Sequence, residues 1–143
     1  MSNETKPYII VIYGKDGCDL CVRLKNEVSA GLTEDKLDTQ VGLDYQNLST
    51  REGMVAYAIA ETINGQRIPA LQLMKYNDEK KAYCKIPDSR PEKRDELTGE
   101  LSVPVYLQLQ TDYTADRPEI QWWQVRELID IVKPPVRTNG QMM

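Results

Sequence analysis

Two cysteines near the amino terminus are the residues whose type and spacing most directly indicate chemistry. Cys18 and Cys21 follow a continuous apolar run, Tyr8 to Tyr13, and stand at the start of a segment with helical periodicity. A thiol at a helix N-terminus faces unpaired backbone N–H groups and the positive end of the helix dipole, which favour the thiolate. Cys21 falls one turn deeper, on the apolar face. The pair therefore suits an exposed nucleophilic thiol backed by a sheltered thiol that resolves a mixed disulfide.

Two charged residues near Cys18 act on its thiol in opposite directions. Lys15 precedes Cys18 by three residues, and a nearby positive charge favours the thiolate, although Lys15 is equally well read as a solvated turn residue. Asp19 is adjacent to Cys18 and disfavours the thiolate. We therefore expect the pKa of Cys18 to lie below that of a free thiol, with Asp19 limiting the decrease.

The composition excludes several classes of function. The 143 residues include no histidine, so Cys-His and Ser-His pairs and zinc sites with an imidazole ligand are excluded. The net charge of −4 argues against nucleic-acid binding, which needs a basic face. No apolar run approaches the roughly 20 residues of a membrane span, and no signal-peptide pattern opens the chain. We expect a cytoplasmic protein, in which a CxxC pair is more often catalytic or metal-binding than structural.

The apolar patterning predicts the elements that position the cysteines. One domain is expected over residues 1–133, followed by a flexible tail over 134–143. In its first half the pattern predicts a buried strand at 8–13 and a helix that begins at Cys18 and ends near Gly31. A strand is then predicted at 39–45, followed by a helix that begins with a capping box at 49–52. This order predicts adjacent parallel strands joined by a right-handed crossover. The inward residues of the second helix are predicted to be Val55, Ala58, Ile59 and Ile63.

The second half of the chain has a different pattern. The segment 67–86 predicts an antiparallel hairpin around the turn YNDEK, and Cys84 in its second strand reads as a small core or edge residue. A charged, proline-containing insertion is expected around 87–110, ending in an edge strand over 101–110. A last helix is predicted after Pro118. Its apolar stripe comprises Trp122, Val125, Ile129 and Val132.

The segment YGKDGCDLC, Tyr13 to Cys21, resembles the active-site segment of glutaredoxins and glutaredoxin-like proteins of the thioredoxin-fold superfamily. The similarity includes the lysine three residues before the first cysteine. Members of this superfamily also carry a cis-proline at the start of the third strand, packed against the cysteine pair. Ile68-Pro69 is similar in placement, whereas Val103-Pro104 follows a charged segment rather than a helix.

The resemblance implies a fold, an activity and a set of site residues. The implied fold is α/β and thioredoxin-like, with a central mixed sheet of four to five strands and helices on both faces. The implied activity is thiol–disulfide oxidoreduction, with Cys18 as nucleophile, Cys21 as resolving thiol, and Lys15, Ile68 and Pro69 at the substrate groove. Implied partners are protein disulfides or glutathionylated proteins, with glutathione or a reductase as the source of electrons and no resident cofactor.

The chain also departs from the glutaredoxin pattern. Asp19-Leu20 stands where glutaredoxins usually have Pro-Tyr, no Gly-Gly follows the hairpin, and the 87–110 insertion has no counterpart. A zinc site is a weaker interpretation of the cysteines, because Cys18, Cys21 and Cys84 supply only three of the four ligands that zinc requires. Related glutaredoxins bridge an iron–sulfur cluster between two subunits, and that alternative stays open. A function of a different class also stays open: a thioredoxin-fold module whose insertion binds a protein partner while the cysteines are non-catalytic.

Overall fold

A mixed β-sheet carries the cysteine pair at one of its ends. The computed structural model describes residues 5–60, 68–88, 106–111, 113 and 116–132. The strands are β1 (Tyr8–Gly14), β2 (Val41–Asn47), β3 (Ala70–Asn77), β4 (Ala82–Lys85) and β5 (Gln108–Gln110). The helices are α1 (Asp19–Glu34), α2 (Arg51–Ala60) and α3 (Trp122–Val132).

The strand order identifies the architecture. The order is β2-β1-β3-β4, and β5 pairs with β3. β1 and β2 are parallel, whereas β3 is antiparallel to β1, to β4 and to β5. The predicted parallel β1–β2 pair and the predicted hairpin are therefore confirmed, with β2 placed two residues later than expected. The fold is α/β and thioredoxin-like, with a mixed sheet, as predicted.

The fourth position in the sheet is filled by two short strands, β4 and β5. Since β1 occupies one edge of β3, both lie along the other edge, β4 beside Met74–Asn77 and β5 beside Ala70–Gln72. Between them the Leu107 N–H donates to the Ile86 carbonyl at 2.9 Å. The segments that flank residues 89–105 are thus paired with each other beside β3. Of the predicted 101–110 strand, residues 108–110 are a strand, and residues 101–105 lie outside the described residues.

Helices cover both faces of the sheet, as predicted. Along β1, Ile10 and Ile12 face α1 and α3, and Val11 and Tyr13 face α2. The first face holds the larger apolar core. Its buried members include Leu24, Val28, Leu71, Leu73, Leu107, Val125, Leu128 and Ile129.

The predicted end of α1 at Gly31 is wrong. The helix continues to Glu34, and the Asp35 N–H closes it by donating to the Gly31 carbonyl at 2.9 Å. Gly31 is instead a packing residue, since a Cβ there would lie 2.6 Å from Cε3 of Trp122. The Trp122 indole N–H donates to the Asp35 carboxylate at 2.9 Å. The missing side chain therefore allows α3 to approach α1 closely.

The predicted inward face of α2 is also wrong. Val55 and Ile59 are 51% and 64% exposed, and Ala58 is exposed as well. The buried residues are Gly53, Tyr57 and Ala60, and Ile63 lies outside the described residues. The rotation of the helix is set at its first turn. There the Thr50 hydroxyl accepts from the Gly53 N–H at 3.0 Å, and Gly53 packs directly on the Asn47 backbone.

The third helix follows the prediction more closely. In α3 the buried residues are Val125, Leu128 and Ile129, and Trp122 and Val132 pack against the same core while staying half-buried. Among the described residues, no helix combines the length and the apolar character that a membrane crossing needs.

Candidate active site

Cys18 and Cys21 lie together at the start of α1. Their sulfurs are at disulfide-bonding distance, and their Cα atoms are 5.3 Å apart. Cys18 is the N-cap of the helix, and its sulfur accepts from the Cys21 N–H at 3.1 Å. Cys18 is half-buried, whereas Cys21 is 0% exposed. The predicted placement of one accessible thiol at the helix N-terminus and one sheltered thiol beneath it is confirmed.

Two glycines shape the turn that carries the chain from β1 into α1. Gly17 has φ +77°, a left-handed conformation that side chains disfavour, and no atom would crowd a Cβ there. Gly14 is constrained by the space around it rather than by its backbone conformation. A Cβ on Gly14 would lie 2.8 Å from both Cβ and Sγ of Cys21 and would also contact the Tyr45 hydroxyl. The carboxyl end of β1 is thus packed directly against Cys21.

Hydrogen bonds tie this turn to the loop between β2 and α2. The Asp16 N–H donates to the Ser49 hydroxyl at 3.1 Å, and the Asn47 amide donates to the Asp16 carboxylate at 2.9 Å. The Leu48 N–H donates to the Gly14 carbonyl. Because both loops follow adjacent parallel strands, they meet at the same end of the sheet. The turn before Cys18 is therefore held in place from its neighbouring strand.

The Ile68–Pro69 peptide bond is cis, as the resemblance implies. Pro69 is buried, and the next residue, Ala70, pairs with Tyr13 at the end of β1. The cis dipeptide thus lies at the same end of the sheet as the cysteine pair. Val103-Pro104, the other X-Pro pair considered, lies outside the described residues.

Both carbonyl oxygens of the cis dipeptide are already hydrogen-bonded. The Thr111 N–H and hydroxyl each donate to the Pro69 carbonyl at 3.1 Å. The Tyr113 hydroxyl donates to the Ile68 carbonyl at 2.6 Å. Sequence analysis did not identify Thr111 and Tyr113, because only the return of the chain along β3 brings them there. No local motif marks either residue.

The other two residues singled out from the sequence stand apart from the pair. Lys15 is exposed, and within the described residues its side chain makes no hydrogen bond or ion pair, so its electrostatic role stays a prediction. Cys84 is a free, half-buried thiol opposite Lys75, whose other neighbour is Tyr8 at the start of β1. Cys84 is therefore at the far end of the sheet from Cys18. In the described ranges, no three potential ligands cluster closely enough to hold a metal ion.

Two tyrosines near the carboxyl ends of β1 and β2 have raised pKa values. Burial and the Asp16 carboxylate raise the pKa of Tyr45, and the Lys25 ammonium lies 5.4 Å from the centre of its ring. Burial, with smaller effects from Asp44 and Tyr57, raises the pKa of Tyr13 to about 12. Both phenols are therefore neutral hydrogen-bond donors at physiological pH.

A groove of about 570 Å³ lies on the α2 face of the sheet. Its described lining is largely apolar and aromatic and includes Val11, Met74, Tyr83 and Tyr106. Neither Cys18 nor Cys21 is among its lining residues, so it is separate from the cysteine pair.

No family model, no curated protein and no solved structure matches this chain. The assignment of the site therefore rests on the sequence motif and on the geometry described above, and the likeness to glutaredoxins stays a prediction.

Proposed function

We propose that this protein is a thiol–disulfide oxidoreductase in which Cys18 is the nucleophile and Cys21 the resolving thiol. The observation that carries the proposal is the position of Cys18, which caps α1 with its sulfur at disulfide-bonding distance from a fully buried second cysteine. The position of Pro69 also supports it, since the next residue, Ala70, pairs with Tyr13 at the same end of the sheet.

The reaction proceeds by two successive thiol–disulfide exchanges. The Cys18 thiolate attacks one sulfur of the substrate disulfide, that disulfide breaks, and the departing thiolate takes a proton from solvent. Cys21 then loses its proton to solvent and attacks the Cys18 sulfur. The Cys18–Cys21 bond forms, and the second substrate sulfur leaves and is protonated. Two electrons and two protons pass from the protein dithiol to the substrate, and the reverse sequence oxidises a substrate dithiol.

The helix N-terminus supplies the activation of Cys18. The Cys21 N–H points at the Cys18 sulfur at 3.1 Å, and the same donor stabilises the thiolate once the disulfide is reduced. Asp19 is exposed in the first turn of α1 and opposes this effect. We therefore expect a Cys18 pKa below the value of about 8.5 for a free thiol.

The test is disulfide exchange with a synthetic peptide that contains one intramolecular disulfide. All variants carry Cys84→Ser so that only the pair reacts. The protein with both cysteines is expected to reduce the peptide, Cys18→Ser to be inactive, and Cys21→Ser to accumulate a mixed disulfide on Cys18. Exchange no faster than that of a free thiol, with no mixed disulfide, would contradict the proposal and favour a binding module with non-catalytic cysteines.

The same Cys21→Ser variant distinguishes the two possible partners. If glutathione is the reductant, the variant purified from cells carries glutathione on Cys18 and still acts on glutathionylated peptides, because free glutathione replaces the missing thiol. If the protein works in the manner of a thioredoxin, the variant is inactive and carries trapped proteins. Asp19-Leu20 and the missing Gly-Gly favour trapped proteins. Mass spectrometry of the adduct gives the answer.

A further inference from the structure

The hydroxyl of Tyr45 and the sulfur of Cys21 face the same small space at Gly14. The position that a Cβ on Gly14 would occupy is 2.8 Å from the Cys21 Sγ, and the Tyr45 hydroxyl contacts the same position. Because both atoms lie within contact distance of one point, the phenol of β2 and the sulfur of α1 are neighbours at the carboxyl end of β1.

The Tyr45 hydroxyl is available as a donor. Tyr45 is half-buried against the core, and within the described part of the chain its hydroxyl makes no hydrogen bond. Burial and Asp16 keep its pKa above the ordinary value, so the O–H proton is retained at neutral pH. An uncommitted, protonated hydroxyl next to a sulfur is suited to donating to a thiolate.

The resolving step needs such a donor. Cys21 is 0% exposed, and burial in apolar surroundings raises a thiol pKa, yet only the thiolate can attack the mixed disulfide. Cys18 receives the Cys21 N–H. The Cys21 sulfur, by contrast, receives no hydrogen bond from any described residue in the disulfide form. The two sulfurs therefore have different hydrogen-bonding environments.

We propose that Tyr45 donates a hydrogen bond to the Cys21 thiolate in the reduced protein and thereby accelerates resolution of the mixed disulfide. The proposal rests on the proposed function, since it assigns the group that activates the second cysteine of the same pair.

The charged groups shown to act on Tyr45 come from two elements. Asp16 lies in the turn after β1 and opposes any negative charge nearby. Lys25 lies on α1 with its ammonium 5.4 Å from the centre of the Tyr45 ring, and it favours negative charge. Since these two charges act in opposite directions, a direct hydrogen bond is the local means by which the Cys21 thiolate can be stabilised.

The experiment uses the reduced Cys84→Ser protein and the disulfide probe dithiobis-nitrobenzoate. The first nitrothiobenzoate is released when Cys18 attacks, and the second when Cys21 resolves the adduct, so the two steps are observed separately. Tyr45→Phe is expected to leave the first release unchanged and to slow the second about fivefold at neutral pH, the value of one ordinary hydrogen bond.

Tyr8→Phe is the matched control. Tyr8 belongs to the same core, and its hydroxyl donates to the Val132 carbonyl at 3.3 Å, at the far end of β1. Its removal is expected to leave both releases unchanged. Equal slowing of both steps by Tyr45→Phe would indicate a merely structural role and would overturn the proposal.

The pH dependence supplies a second readout. In a Cys18→Ser, Cys84→Ser background Cys21 is the one remaining thiol, and its rate of alkylation against pH reports its pKa. Tyr45→Phe is expected to raise that pKa by about 0.7 unit, the equivalent of the fivefold effect. An unchanged pKa would overturn the proposal while leaving the redox function intact. Failure of the parent protein to release the first nitrothiobenzoate would instead overturn the proposed function.

Discussion

Tyr113 changes what the cis-proline can offer to a substrate. An extended peptide that adds to a strand edge binds through main-chain hydrogen bonds, and under the proposed function the backbone at Ile68-Pro69 is the partner that we expect for it. Here the Ile68 carbonyl is already occupied by the Tyr113 hydroxyl at 2.6 Å. Tyr113 is 58% exposed, so little packing holds it in place. Under the proposed function, we therefore expect the substrate backbone and the Tyr113 hydroxyl to compete for this one acceptor.

Tyr113→Phe is expected to lower the KM for a peptide disulfide about threefold to fivefold with little change in kcat, because one competing hydrogen bond of about 1 kcal/mol is removed. Tyr83→Phe is the control, since its hydroxyl also donates to a backbone carbonyl, that of Lys6 at 2.8 Å, away from the cysteines. Steady-state kinetics on the peptide decide the matter. A higher KM in Tyr113→Phe would mean that the hydroxyl itself binds substrate.

The elements near the cysteines were predictable because their signals are local. A buried β-branched run, a CxxC at the following helix start and an Ile-Pro before the next apolar run each depend on a few adjacent residues. The Cys18 N-cap and the buried Cys21 follow from these signals, and the cis Pro69 follows from the resemblance to the thioredoxin-fold superfamily. Tyr45 and Tyr113 could not be found this way, because their roles depend on which strands become neighbours.

The two errors in the helices have the same physical origin. From the sequence, Gly31 was predicted to end a helix and Gly53 was given no role. Each lies where another segment approaches too closely for a Cβ. Gly53 packs on Asn47 and sets the rotation of α2, which turns Val55 and Ile59 towards solvent. Apolar periodicity is read from side chains. It therefore does not detect a close contact that depends on a residue having no side chain.

Gly31→Ala is expected to destabilise the protein by about 1–2 kcal/mol in urea unfolding, because overpacking costs more than the gain of about 1 kcal/mol in helix propensity. The added Cβ would lie 2.6 Å from the Trp122 ring, which is itself anchored to Asp35. Gly42→Ala is the control, since its Cβ would meet Ile9 Cγ1 at an ordinary 3.6 Å. Equal stability of Gly31→Ala and the unmodified protein would contradict the close approach of α3 to α1.

Taken together, the elements separate two parts of the molecule. One face of the sheet, under α1 and α3, holds the larger core and the buried sulfur of Cys21. The opposite face is covered by the short helix α2 and retains the groove beside Met74 and Tyr83. The cysteine pair is thus built on the better-packed side, and changes on the groove side are expected to affect it least.

The interrupted fourth strand explains how a long excursion fits into this fold. β4 and β5 run in the same direction along one edge of β3, and Pro87 pairs with Tyr106 where the chain leaves and returns. Bridged residues in an antiparallel pair have Cα atoms about 4.5–5.5 Å apart, so the two ends of the excursion are adjacent. The alternation over 101–110 predicted an edge strand after the insertion, and residues 108–110 form one; what the pattern did not predict is that this strand shares one edge of β3 with β4, because that depends on long-range pairing.

Replacing residues 89–105 by a short Gly-Ser linker is therefore expected to leave a cooperatively folded protein with unchanged thiol reactivity at Cys18 and Cys21. Adjacent ends are closed by a short loop at little entropic cost, and all five described strands are kept. The control deletes 89–111, which takes away β5, leaves Ala70–Gln72 unpaired at one edge and removes the Thr111 bonds to Pro69. That variant is expected to unfold at a markedly lower temperature. Circular dichroism melting measures the stability, and the two-step probe reaction measures the thiol reactivity. Loss of cooperative melting in the 89–105 replacement would show that this segment is part of the folded core rather than an addition to it.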